Sequence, residues 1–157
     1  MSIQTQGMPR SIYTLEVSVN GTDWLNISGE STRVSYSGGD QQTGSTNTAG
    51  GSAPIVTHSN KTAPITVQCD IVYSEALWEA FGIVWQQWLS PNKSLFMRYS
   101  PTNIVGGKRY YTADDANDLF RAPIVSCLPP EGDATTGDPM MAMFSLLVPK
   151  MAEETIT

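Results

Sequence analysis

From Ile65 to Tyr73 every second residue is apolar: Ile65, Val67, Cys69, Ile71 and Tyr73 alternate with Thr66, Gln68 and Asp70. Period 2 belongs to a strand with one face in a core. Directly afterwards the period changes. Leu77, Trp78, Phe81, Val84, Trp85 and Trp88 recur at the spacing of one helix face. Ser74 is a good N-cap, Glu75 suits the first turn, and Pro91 stops the run. A strand that runs straight into a single amphipathic helix over 74–89 therefore organises the middle of the chain. The aromatic stripe is read as the side on which this helix covers a sheet, rather than as a ligand platform.

The remaining elements are strands. Tyr13, Leu15, Val17 and Val19 alternate with polar residues and meet Asn20-Gly21, a hairpin signal. The return strand carries Trp24, Leu25 and Ile27, and a third run covers Thr32 to Ser37 with Val34 and Tyr36 on one side. Further strand signals lie at Ile55–Ser59, Leu95–Tyr99, Lys108–Thr112, Phe120–Leu128 and Met140–Val148. Pro123 marks its strand as an edge. The last strand is apolar on both faces, which suits burial by its own core and by a neighbouring chain. About eight strands and one helix in one domain give an all-β fold, a β-sandwich or flattened barrel with a flanking α-helix. Residues 1–11 read as a polar arm, 12–149 as the domain, and 150–157 as a short acidic tail.

One segment resists this pattern. Ser37–Pro54 holds five glycines, one charge and no large apolar residue. Such a stretch buries too little apolar surface to order itself. It is expected to be a loop that becomes ordered only against a neighbour. Pro129–Pro139 is expected to be a second polar loop.

Composition narrows the function. Charged residues are 15% of 157, and fifteen acidic against nine basic residues give a net charge of −6. Tight phosphate binding needs clustered Lys and Arg, and the best approach to a cluster is the pair in Gly107–Thr112. An anionic membrane surface is disfavoured for the same reason. No stretch is long and apolar enough for a signal peptide or a membrane span. His58 is the single histidine, in a polar setting, so neither a multi-histidine metal site nor a nucleophile–base pair can be assembled around it. The Asp114–Asp118 loop lacks the glycine and terminal glutamate of a calcium loop. Cys69 and Cys127 lie in apolar runs and read as small buried hydrophobes. No enzyme and no cofactor is expected.

The order of these parts resembles the major tail tube protein of long-tailed, non-contractile bacteriophages. The residues that carry the resemblance are the hairpin YTLEVSVNGTDWLNIS, the interrupting SGGDQQTGSTNTAGGSAP, and APITVQCDIVYSE running into EALWEAFGIVWQQWL. The resemblance covers roughly residues 12–149 and is one of pattern, since that family has no short signature. It implies a β-sandwich flanked by a helix, forming homohexameric rings that stack into a tube. Inner sheets would join around a lumen that conducts DNA at ejection. Partners would be further copies, a tape measure protein, and tail terminator or tip proteins, in a virion tail assembled in the host cytoplasm. Gly38, Gly39, Asp40, Gln41, Gln42, Thr43, Gly44, Asn47, Gly50 and Gly51 would then reach a neighbouring subunit or ring. The polar strand faces flanking that segment (Arg33, Ser35, Thr66, Gln68 and Asp70) are the expected lumen positions. A receptor- or carbohydrate-binding module of a tail tip or fibre is the alternative.

Overall fold

A computed structural model describes residues 13–73, 78–102 and 104–157. The expected arm at 1–11, the cap at Ser74 and the core position Leu77 lie outside these residues, as does the side chain of Trp78. In chain order the strands are β1 (Thr14–Ser18), β2 (Leu25–Asn26), β3 (Ser31–Gly38), β4 (Gln41–Thr46), β5 (Ile55–Thr62) and β6 (Ile65–Val72). Then come α1 (Trp78–Leu89), β7 (Ser94–Ser100), β8 (Lys108–Ala113), β9 (Ala122–Leu128), β10 (Met141–Val148) and β11 (Lys150–Thr155).

Nine strands form one sheet that divides into two layers. In one, β2-β1-β7-β8-β11 are neighbours; in the other, the order is β3-β6-β10-β9. The layers join at a corner where β7 pairs β9 for two residues, Ser94↔Pro123 and Leu95↔Ala122. Pro123 has no N–H to give to a ladder. The next amide, Ile124, instead donates to the Lys93 carbonyl at 2.7 Å. The core lies between the layers. Leu15, Val17, Leu95 and Met97 from one meet Val67, Cys69, Ile71, Phe144 and Leu146 from the other, all fully buried. The Cys69 and Met97 sulfurs approach to 3.9 Å across that core. Phe81 and Val84 insert from α1 and are buried, while Trp85 and Trp88 pack partly buried at its margin.

The barrel is not closed. The path ends at β3 and β11, whose outer edges have no partner among the described residues. Residues 150–157 are not a free tail: Lys150–Thr155 pairs along the whole of β8. The acidic character that marked a tail is used there, since Glu154 sits opposite Arg109 with an ion pair at 2.8 Å.

The expected disorder of Ser37–Pro54 is also corrected. Gly38 ends β3, Gln41–Thr46 is a strand, and it pairs antiparallel with β5 from Gln41↔Thr62 to Thr46↔Ile55. Backbone pairing needs no core, and Thr, Val and Ile in these strands favour extended backbone. Gln41 Nε2 adds a bond to the Ser59 carbonyl at 2.7 Å. Gly38 and Gly39 have φ of 82° and 76°, and a Cβ on Gly38 would lie 2.5 Å from the Pro64 carbonyl oxygen. Only glycine fits where the chain turns out of β3 into the hairpin.

Candidate functional site

The distinctive surface is the outward face of β3-β6-β10-β9. Strand pairing fixes which residues share it. Arg33, Asp70, Met143 and Leu128 form one row across the four strands. Ser35, Gln68, Ser145 and Ser126 form the next, and Ser37, Thr66 and Leu147 a third. The structure thus brings Arg33, Ser35, Thr66, Gln68 and Asp70 together on one face. Opposite side chains of the same strands go to the core, as the alternation requires. Hydrogen bonds within the face are local: Ser126 and Ser145 hydroxyls at 2.6 Å, and Gln68 Nε2 donating to Asp70 Oδ1 at 3.3 Å.

Sequence reasoning missed the β10 and β9 contributions. Met140–Val148 reads as apolar throughout, which hides its period. With the strand placed, Ala142, Phe144, Leu146 and Val148 are core, whereas Met143, Ser145 and Leu147 look outward. The signal was Ser145, the single polar residue in that run.

Both flanks of this sheet are open. Among the described residues β3 pairs only with β6. β9 pairs with β10, and beyond its corner with β7 the span Ile124–Leu128 has no second partner strand among the described residues. Pro123 therefore marks a strand that is an edge over most of its length. Unpaired edges are templates for a further strand, and here they carry exposed apolar side chains: Tyr36 at 46% exposure on β3, Val125 at 53% and Leu128 at 51% on β9.

The expected intersubunit residues Gly38 to Gly51 lie at the root, along the first strand and in the turn of the β4–β5 hairpin. Almost every residue of the hairpin is exposed, including Ile55 and Val56. At its root a cleft of about 390 Å³ opens between the layers, lined by Tyr36, Tyr99, Tyr110, Ile65 and Met151.

Among the described residues no group of His, Cys, Asp or Glu is arranged to hold a metal ion. His58 is exposed on β5, opposite Thr43. Asp114 turns its carboxylate inward to its own loop, accepting from the Ala116 and Asp118 amides at 3.0 Å each. Burial raises the Cys127 thiol to about 11 and raises Cys69 further, with Asp70 adding to the latter. No described helix is long and apolar enough to cross a membrane.

No family model matches the chain, and no curated protein matches it. Solved structures do. A chain from the sheath/tube terminator of an extracellular contractile injection system in its extended state superposes with a TM-score of 0.63 at 15% identity, covering 96% of this chain and 98% of that one. A chain from the sheath-tube complex of such a system gives 0.61 at 14%, covering 97% and 94%. One from the anti-feeding prophage baseplate gives 0.58 at 11%, covering 100% and 99%. At these identities the shared property is architecture: this chain has the fold of single chains found in those sheath, tube, terminator and baseplate complexes.

Proposed function

We propose that this protein is a structural subunit of a tube. Copies join edge to edge into hexameric rings, and rings stack. The outward face of β3-β6-β10-β9 then lines a lumen. The observation that carries this reading is that sheet itself: two free edges on opposite flanks, a polar outward face and no covering layer among the described residues. Because neighbouring strands in it alternate in direction, β3 of one copy can continue antiparallel from β9 of the next. That removes both edges at once. Opposite patches meeting head to tail close a ring when the rotation is right.

In this reading the β4–β5 hairpin is the second contact. A two-stranded hairpin alone is marginal in water. Seated against a neighbouring subunit or ring, it gains the packing that its own chain does not supply. The protein acts by assembling rather than by catalysis. Its role is that of a tail tube that conducts DNA from a virion, made in the host cytoplasm and meeting tape measure and terminator or tip proteins at its ends. The sequence resemblance points to a non-contractile tail and the fold likeness to contractile systems; the tube is common to both.

A second reading, a receptor- or carbohydrate-binding module, draws on the tyrosine-lined cleft at Tyr36, Tyr99 and Tyr110. Negative-stain microscopy of the purified protein separates the two. Rings or tubes of uniform width are expected; discrete globules at every concentration would overturn the tube reading.

A further inference from the structure

We propose that ring closure is held in register by an ion-pair clasp, with Arg33 of one copy seated against the acidic segment that follows β9 in the next copy. This inference rests on the tube reading above and names the partner surface within it. Arg33, Asp70, Met143 and Leu128 share one transverse row, so the start of β3 is level with the end of β9. When the sheet continues into the next copy with little slip, Arg33 arrives beside Leu128 and the chain that leaves it. That chain is Pro129-Pro130 and then Glu131, Asp133 and Asp138.

The charges are complementary. From Ala122 to Pro149 there are three carboxylates and no lysine or arginine. Hydrogen bonds from the Thr135 hydroxyl and amide favour the ionised form of Asp133 and lower its pKa. Arg33 is the one lysine or arginine between Ser11 and Asn60. It is exposed and has no ion pair among the described residues, whereas Arg98 is bound to Glu16, Arg109 to Glu154, and Arg121 to Ser94 and the Val19 carbonyl. Asp70, directly across the strand, accepts from Gln68 instead.

A clasp is needed because the edges specify register poorly. Between Arg33 and Leu128 at the end of the seam and the corner at Pro123, the row-forming outward residues are small and alike, Ser35 and Ser37 on β3 and Ser126 on β9. A two-residue slip would keep every side chain on its own face, so the alternation that forbids a one-residue slip does not oppose it. A charge pair at one end of the seam penalises such slips and steers the encounter more than it adds affinity.

Charge reversal tests this in the full chain, read by the protein concentration at which rings or tubes appear. Arg33→Glu should raise that concentration about tenfold at low salt, and the gap to wild type should close at roughly 1 M salt, where exposed charges are screened. Glu131→Lys with Asp133→Lys should be similarly impaired, and combining all three changes should restore assembly. Thermal melting of the dilute variants should stay at the wild-type value, since Arg33 lies on the outer face. Wild-type assembly by Arg33→Glu, or failure of the triple variant to recover, would overturn the clasp while leaving the tube intact. Absence of any assembly by the wild type would sink the tube reading, and the clasp with it.

Discussion

The two cysteines show what burial does to individual groups. Cys69 is fully buried between the layers against Met97, and Cys127 is 4% exposed on β9, which packs under α1. Desolvation penalises the thiolate, so both thiols are raised. A raised acid holds its proton in the folded state through pH values where the unfolded chain has released it. Stability is therefore full below the ordinary thiol value of 9.0 and declines as pH rises from there toward the folded value of Cys127, about 11. Denaturant melts at pH 7 and pH 10 should show that fall, and neither thiol should react with an aromatic disulfide reagent at neutral pH until the chain unfolds. Rapid labelling of the folded protein would contradict the packing. The helix stripe makes a graded case. Phe81 is 2% exposed, stands edge-on to Tyr73 and stacks on Trp85. Phe81→Ala should cost about 3–5 kcal/mol. Trp85 lies at the margin, so Trp85→Ala should cost less, about 2 kcal/mol. Equal costs would show that α1 sits deeper than described. These core positions were legible in the sequence because alternation and helical spacing are physical consequences of having one buried face. Which aromatic went deepest was not legible, since spacing carries no depth.

At the scale of elements, the β4–β5 hairpin is the most separable part of the chain. Its root is closed by the Ala63 amide donating to the Asp40 carbonyl at 2.9 Å and the Gly39 amide to the Pro64 carbonyl at 3.2 Å. The ends of Gln41–Thr62 are thus already side by side. Replacing that span with a two-glycine turn should leave folding stability within about 1 kcal/mol, because almost nothing in the span is buried. The excised protein should melt like the parent yet form no tubes. Normal tubes would remove the hairpin from the assembly account, and an unfolded product would show that it carries core stability. Composition misled at this element. Scarcity of apolar residues in Ser37–Pro54 correctly denies it a core, but cross-strand backbone bonds order it without one. The same blindness hid β11. Lys150–Thr155 looks like a polar tail, and only the free edge of β8, unknown before the fold, turns Glu154 and Met151 into strand residues.

For the whole molecule, the charge on the outward sheet decides how a lumen would treat DNA. Its rows carry one cation, Arg33, and one anion, Asp70, among hydroxyls, an amide and apolar side chains, although the chain as a whole is −6. Such a surface offers phosphates no basic track and so no counterion release. Lysines at Thr66 and Gln68 should leave assembly intact and slow DNA passage through the tube, with relief as salt rises. Unchanged passage through tubes that carry both lysines would place this face on the exterior. Subunits joined through β3 and β9 bury backbone amides at both edges, and amide hydrogen exchange reads that burial residue by residue. Exchange should be compared between dilute monomer and concentrated assembly. Amides of Ser31–Gly38 and Ile124–Leu128 that exchange freely in the monomer should become protected together on assembly, while those of β6 and β10, already paired on both sides, change little. Assemblies in which both edges exchange as fast as in the monomer would contradict joining through β3 and β9.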